Sequence, residues 1–266
     1  MPVNDPHDVD RLRQQLVVPG SLWQRLDLVA ETGSTNADLA ARARTGQATG
    51  AVLLTDYQSA GRGRQGRTWT APAGSSIAMS LLVAPQGVPT TRWSWLPLLA
   101  GLAVVEALRR AADLPAVLKW PNDVLVGDRK ICGILAERVE TPTGPACVIG
   151  IGLNVHLTEA ELPVPTATSL AVVKPERVPQ RDTLVVTIGR AFELLFRHWE
   201  TSDDDAAFAA SYQDRCDTIG RRVRVLLPGD LTVEGTADAV DPHGRLVLLT
   251  DSGRQTFSAG DVVHLR

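Results

Sequence analysis

Cysteine is scarce in this 266-residue sequence. Cys132, Cys147 and Cys216 are widely spaced and include no CxxC pair. That argues against a secreted disulfide framework and makes reduced thiols in a cytoplasmic setting the expectation. An excess of one charge is also lacking: 27 Lys and Arg stand against 30 Asp and Glu, a formal net charge of −3, too mild for a generic polyanion binder. No apolar run reaches the ~20 residues that a bilayer crossing needs. The longest, Trp93 to Leu108, contains Pro97 and ends in Arg109 and Arg110, which reads as a buried helix with no membrane partner. The N-terminus, Met-Pro-Val-Asn-Asp-Pro-His-Asp, has neither a basic start nor an apolar core, so no signal peptide is expected. Internal repeats and long low-complexity tracts are absent. His7, His156, His198, His243 and His264 form no HExxH or HxxxH pattern, and there is no GxSxG elbow. No metal-ligand set can be read.

What is present is an ordinary globular composition, 44% apolar and 21% charged, enough to fill a sizeable core. The hydrophobic period alternates between helical and extended. Helices are expected over 9–18, 37–44, 94–112, 182–199 and 204–216, and strands over 26–29, 51–55 and 76–83. Short strand-like runs between 116 and 155 are separated by Gly127-Asp128 and Pro142-Thr143-Gly144-Pro145, which predicts hairpins rather than βαβ crossovers. Residues 158–178 read as a Pro-rich connection. Asp203-Asp204-Asp205 reads as a solvated helix start. From Gly220 onward, five short strand candidates punctuated by Pro-Gly-Asp, Asp-Pro-His-Gly and Asp-Ser-Gly suggest a small β-barrel. The expected architecture is therefore α+β (α/β). A catalytic domain over 1–218, a mixed and mainly antiparallel sheet with packed helices, precedes a small C-terminal SH3-like barrel over 219–266.

Three segments carry most of the chemical information. Gly61-Arg62-Gly63-Arg64-Gln65-Gly66-Arg67-Thr68-Trp69 places three glycines and three arginines within nine residues. Glycine lets backbone N–H groups approach a ligand, and the arginine fork fits phosphate or carboxylate. Trp69 offers a stacking face. A solvated basic loop is the competing reading, and no Gly-Lys-Ser/Thr follows to make a P-loop. Lys119-Trp120-Pro121-Asn122-Asp123 fits a strand end and turn, with Lys130 beyond the next turn as a further cation near the arginine loop. Gly150-Ile-Gly152-Leu-Asn154 has alternating glycines, a pattern of close approach by a ligand or by another packed element. Ser34-Thr35-Asn36 fits a helix cap or a polar wall. Cys132 reads as core rather than nucleophile.

Taken together and in this order, Ser34-Thr35-Asn36, Gln58, the GRGRxGRxW loop, KWPND, Lys130 with Gly133-Ile-Leu, and GxGxN resemble the biotin protein ligases over about residues 26–156. The C-terminal barrel fits that family too. The resemblance implies a two-step reaction. Biotin and ATP give biotinyl-5′-AMP and pyrophosphate, and a lysine of a biotin carboxyl carrier domain in a biotin-dependent carboxylase then takes the biotinyl group. By resemblance, Ser34, Thr35, Asn36 and Gln58 hold the biotin head group, and Gly150 and Gly152 let the ligand lie against a strand. Arg62, Gly63 and Arg64 cover biotin and the adenylate linkage. Arg64, Arg67, Trp69, Asn122, Lys130 and Asn154 face the nucleotide. Lys130, which also reaches biotin, is the leading catalytic residue, with Arg62; Asn122 and Asp123 are placed near phosphate, metal or the incoming lysine, and a general-base role for Asp123 is a separate expectation that the resemblance does not supply. The family also implies Mg²⁺.

Some members of that family carry an N-terminal DNA-binding domain. Only 33 residues precede Ser34 here, and the expectation is no DNA partner. The six Arg and six acidic residues from Gly220 onward leave the C-terminal unit without a basic footprint. A lipoate or octanoate ligase or transferase is the alternative within related chemistry. A nucleic-acid-binding module and a non-catalytic biotin-binding scaffold are the alternatives outside it. Nothing in the sequence assigns an oligomeric state.

Overall fold

The computed structural model describes residues 5–229 and 231–265. Residues 1–4, part of the leader reading, and Asp230 and Arg266, counted in the C-terminal charge balance, lie outside the described residues.

The first unit contains α1 (Val9–Leu16), β1 (Arg25–Thr32), α2 (Thr35–Arg44), β2 (Ala51–Gln58), β3 (Ser76–Val83), α3 (Trp95–Ala112), β4 (Val117–Lys119), β5 (Asp123–Val126), β6 (Arg129–Thr141), β7 (Gly144–Asn154), α4 (Leu170–Val173), α5 (Arg181–Thr201) and α6 (Ala206–Gln213). Its seven strands run in the order β1-β2-β3-β7-β6-β5-β4. Only β1 and β2 pair in parallel, joined through α2. The other pairs are antiparallel, and β4 to β7 form the expected meander. The second unit is an antiparallel sheet of β8 (Arg222–Leu227), β9 (Leu231–Val240), β10 (Leu246–Thr250), β11 (Gly253–Phe257) and β12 (Asp261–His264), in the order β11-β10-β9-β8-β12.

Strand alternation builds three layers. Val52, Leu54, Ile77, Met79, Leu81, Ile149, Ile151 and Leu153 point toward α3 and α5, in one large core with Trp95, Phe192, Phe196 and Trp199. Their neighbours Ala51, Leu53, Leu82 and Val148 point the other way and pack under Leu39, Ala40 and Ala43 of α2. All of β3 is buried, as its mainly apolar run, interrupted only by Ser80 after Ser76, requires of a strand covered on both faces. α2 begins where the Ser34 hydroxyl accepts from Ala37 N (3.5 Å), a side-chain cap on an orphan N–H.

Two local readings change. Asp203 and Asp204 are exposed at the start of α6, as expected, but the N-cap Asp205 is not solvated: it is 8% exposed and accepts from Arg92 Nε at 2.8 Å and from its NH2 at 2.6 Å. The guanidinium also lies over Trp199, 5.4 Å from the ring centroid. A charge this enclosed needs a paired partner, and only the fold reveals which aspartate supplies it. The Pro-rich connection contains α4 and walls part of the cleft described below.

The two sheets are joined by buried side chains. Trp120, 1% exposed, donates its indole N–H to Gly244 O (3.0 Å) and its backbone N–H to Thr218 Oγ1 (3.1 Å). Trp95 donates to Pro242 O (2.8 Å). His264 Nε2 lies 3.1 Å from Thr218 Oγ1. Burial, followed by the nearby Lys119 and Arg221 charges, lowers the His264 pKa, with Asp217 and Asp128 opposing. The folded state therefore favours the neutral ring, and the unfolded chain binds more protons from the folded pKa up to ~6.5. This contribution to stability is complete above that window and is lost as pH falls through it. The wild type is expected to lose more melting temperature between pH 7.5 and 5.5 than His264→Gln does. Equal losses would remove His264 from the acid sensitivity.

Candidate active site

One large cleft of about 610 Å³ opens on the α2 face of the first sheet and is roofed partly by the second. Its floor follows from strand parity. Ile149, Ile151 and Leu153 face the core, so Gly150, Gly152 and Asn154 face the cleft, which all three line. Gly133 pairs with Gly152 across β6 and β7. Together they make a floor without side chains.

What lies on that floor differs in part from the expectation of a ligand directly against the glycines. A Cβ on Gly152 would fall 2.5 Å from Trp69 Cε2, and one on Gly133 would fall 3.1 Å from Trp69 Cζ3. A Cβ on Gly150 would fall 2.4 Å from Asn36 Oδ1. The glycines first make room for the Trp69 indole and the Asn36 amide. A flat ring and a flat amide pack closely only where no side chain stands beneath them.

The polar end of the cleft is a bonded network. Gln58 Oε1 accepts from Thr35 N (2.9 Å) and Thr35 Oγ1 (3.1 Å). Asn36 Nδ2 donates to Leu135 O (3.1 Å) and Glu137 Oε2 (2.8 Å). Glu137 also pairs with Arg62 at 3.1 Å. Ser80, fully buried, donates to Asn36 Oδ1 at 2.6 Å. Neither Ser80 nor Glu137 belongs to the sequence-derived set. Ser80 carried a faint signal, as a hydroxyl in the middle of an apolar strand. Glu137 carried none.

The arginine loop is a small hairpin. Trp69 N donates to Gly61 O (2.9 Å) and Gly63 N to Arg67 O (2.7 Å). Gln65 (φ 53°) and Gly66 (φ 71°) form its tip, a type I′ geometry that suits glycine and strains glutamine. Gln65→Gly is expected to stabilise the hairpin by up to about 1 kcal/mol, seen as slower proteolysis within 61–74. Faster cleavage would mean that loss of the Gln65 side chain outweighs the relieved strain.

The cationic end gathers residues from four segments. Lys130 Nζ is 2.6 Å from Asp123 Oδ1 and 5.8 Å from the Trp69 ring centroid. Asp123 Oδ1 is buried and faces this ammonium, so the two charges form a close ion pair. Lys130 faces the cleft because of a β-bulge. Val124 pairs with Cys132 and Leu125 with Lys130, leaving Ile131 unpaired. Ile131 is buried in the core. In an uninterrupted strand Lys130 would point away from Gly133's face; the extra residue re-aims it. Residues 166–168 clamp it further: Lys130 N donates to Thr166 O (2.7 Å), and Thr168 N donates to Lys130 O (2.8 Å). Asn154 Nδ2 donates to Thr168 O (2.9 Å).

Arg64 donates to Asn122 Oδ1 (2.9 Å) and Gly260 O (3.3 Å). Arg67 pairs with Asp261 at 2.7 Å. Lys119, absent from the sequence-derived set, sits across from Asp123 on β4 and has no ion-pair partner among the described residues. Burial lowers its pKa, Asp123 opposes this and Lys130 adds to it. Cys132 is fully buried, and desolvation raises its pKa, as fits a core thiol.

The structure thus gathers Ser34, Thr35, Asn36, Gln58, Arg62, Gly63, Arg64, Arg67, Trp69, Asn122, Asp123, Lys130, Gly150, Gly152 and Asn154 around one cleft. It has a hydrogen-bonding end, an apolar middle and a cationic end. That suits a ligand with a compact polar head, a carboxylate and an attached phosphoanhydride.

Comparison with known proteins agrees. Residues 30–154 match the biotin/lipoate A/B protein ligase family, and residues 218–265 match the biotin protein ligase C-terminal domain. The chain is 44% identical to the biotin–[acetyl-CoA-carboxylase] ligase of Mycobacterium tuberculosis, over 98% of this chain and 97% of that protein. It is 31% identical to the bifunctional ligase/repressor BirA of Bacillus subtilis, over 89% of this chain and 72% of that one. Among solved structures, a biotin protein ligase from Aquifex aeolicus in complex with biotin and ATP superposes with a TM-score of 0.76 at 27% identity, covering 92% of this chain and 100% of that one. A Leishmania major biotin protein ligase in complex with biotinyl-5-AMP gives 0.57 at 25% identity, over 88% and 99%.

Proposed function

Since the chain belongs to the biotin/lipoate A/B protein ligase family and is a biotin–protein ligase, we propose how its cleft divides the work. The reaction has two displacements. A biotin carboxylate oxygen attacks the α-phosphate of ATP, and the bond to pyrophosphate breaks. The lysine amine of the carrier then attacks the acyl carbon of biotinyl-5′-AMP; the C–O bond breaks, AMP leaves and the amine loses a proton.

The observation that carries the assignment of roles is the polarity gradient along one floor. The network of Thr35, Asn36, Gln58 and Ser80 offers fixed donors and acceptors for the biotin head. Gly150 and Gly152 keep that floor low. Lys130 and Arg62 stand where the carboxylate and α-phosphate meet, and their charges stabilise negative charge that grows in the first displacement. Arg64, Arg67, Asn122 and Asn154 take the nucleotide side, with Trp69 against the base. Arg62, Gly63 and Arg64, on the hairpin that overlies the cleft, exclude water from the anhydride. Asp123 accepts the proton of the incoming lysine, whose free pKa is ~10.4, so the second step accelerates as pH rises.

The donors suited to Mg²⁺ are hard oxygens. Asp123 and Asn122 carry oxygens of that kind, but Asp123 Oδ1 lies 2.6 Å from Lys130 Nζ and Asn122 Oδ1 accepts from Arg64 at 2.9 Å. With no group of three or more His, Cys, Asp or Glu placed to hold a metal among the described residues, these side chains do not fit a resident Mg²⁺.

The partner is a biotin carboxyl carrier domain rather than DNA, a reading supported by the charge balance of residues 220–266. We treat 1–218 and 219–266 as the two domains. A cytoplasmic location fits the three free thiols, and no described helix is long and apolar enough to cross a membrane. The test is ATP–pyrophosphate exchange with biotin, with lipoate and with neither, followed by transfer to an isolated carrier domain. Biotin-dependent exchange and carrier labelling are expected. Exchange with lipoate alone would overturn the substrate assignment.

A further inference from the structure

The guanidinium groups of Arg64 and Arg67 already have an anion, and it comes from the C-terminal sheet. Asp261, the first residue of β12, places Oδ2 at 2.7 Å from Arg67 NH2 and Oδ1 at 3.8 Å from Arg64 NH1. The preceding Gly260 carbonyl accepts from Arg64 NH2 at 3.3 Å. The Asp261 and Arg64 side chains are 18% and 19% exposed, whereas Arg67 is 59% exposed, so the Arg64 side of the contact is enclosed and the Arg67 side faces solvent. Lys119, Lys130, Arg64 and Arg67 line the adjoining cleft with the carboxylates Asp123 and Asp128, and the Asp261 charge acts on Lys119 and Arg64. Like charges packed this closely repel, and a half-buried guanidinium is costly without a counter-charge. Burial lowers the Arg64 pKa, and Asp261 is the largest influence opposing that shift.

We infer that Asp261 is a positioning residue for adenylate formation: it holds Arg64 and Arg67 over the cleft mouth and yields them to the β- and γ-phosphates of ATP. This rests on the ligase reading. The exchange makes and breaks no covalent bond; a carboxylate gives up two cations to a polyanion. Asp261 therefore competes with the phosphates in binding while ordering the loop that receives them. Asp261 thereby links the C-terminal domain to the first step, across 194 residues of chain from Arg67.

The sign of the effect separates this from a structural role. In Asp261→Asn the competition falls, so KM for ATP and the dissociation constant for inorganic pyrophosphate are expected to fall about 2- to 5-fold, the range of a partly exposed ion pair. KM for biotin stays constant, and kcat falls because the loop is less ordered. In an Arg67→Gln background the gain in pyrophosphate binding disappears. Asp261→Glu keeps the charge and retains wild-type KM for ATP. Pyrophosphate binding is measured by calorimetry on the full chain without biotin, and exchange kinetics in parallel. An unchanged or raised KM for ATP in Asp261→Asn would overturn the inference, and so would a gain that persists without Arg67. If Asp261→Asn melts below the assay temperature, Asp261→Ser replaces it under the same criteria. Absence of biotin-dependent exchange in the wild type would instead sink the ligase reading, with pyrophosphate binding still scored.

Discussion

Lys130→Ala is expected to lower biotin-dependent ATP–pyrophosphate exchange about 10²- to 10³-fold, the cost of removing one preorganised donor from developing negative charge. The loss should fall on kcat, because the ammonium acts where charge grows rather than where biotin's head is held. Lys130 is one-third exposed, so the melting temperature should stay within a few degrees of wild type. Lys130→Arg restores charge but replaces a compact ammonium, 2.6 Å from Asp123, with a planar fork. It should remain well below wild type. Wild-type exchange in folded Lys130→Ala would remove this residue from the chemistry and leave Arg62 as the principal candidate.

Trp120→Ala is expected to be the most destabilising substitution proposed here, at about 3–5 kcal/mol. The indole is 1% exposed and bonds Gly244 O across the junction of the two sheets. Its loss leaves both a cavity and an unpartnered carbonyl. For a chain of this size that corresponds to roughly 10 °C in melting temperature. Trp120→Phe keeps most of the volume and loses the N–H, so its cost should be about 1–3 kcal/mol. Because Asp261 reaches the arginine loop only when the second sheet is docked, Trp120→Ala should also speed proteolysis within 61–74. A melting point within 2 °C of wild type would show that the sheets are held together chiefly elsewhere, as at Trp95 and Pro242.

Much of this was legible in the sequence because it is local or periodic. The alternating glycines at 150 and 152 marked a place of close approach. The turn signals between 116 and 155 marked hairpins, and the apolar run at 76–83 marked a strand. What was not legible depends on contacts remote in sequence or on single-residue geometry. Glu137 matters because Asn36 and Arg62 converge on it from other segments. Asp205 is ordinary until Arg92 is seen against it. Residues 166–168 act through backbone groups on Lys130, and no side-chain pattern advertises that. Lys119 looked like any surface lysine because nothing local shows that its cross-strand neighbour is Asp123. The glycines were read as room for a ligand or for another packed element, and Trp69 and Asn36 are what lies nearest to them. The sequence shows that room is made, but not for which group.

The unpaired Ile131 has a consequence for descent. Between Lys130 and Gly133 the reading of inside and outside is offset by one, so gain or loss of a single codon there would turn the lysine from the cleft toward the helices. A change of two would keep it facing correctly. Lineages that share this site should therefore show odd-length indels excluded from that interval and tolerated at the Thr141–Gly144 hairpin end, where β6 and β7 simply grow or shorten together. The interval would serve as a fixed landmark for placing gaps when distant members are compared.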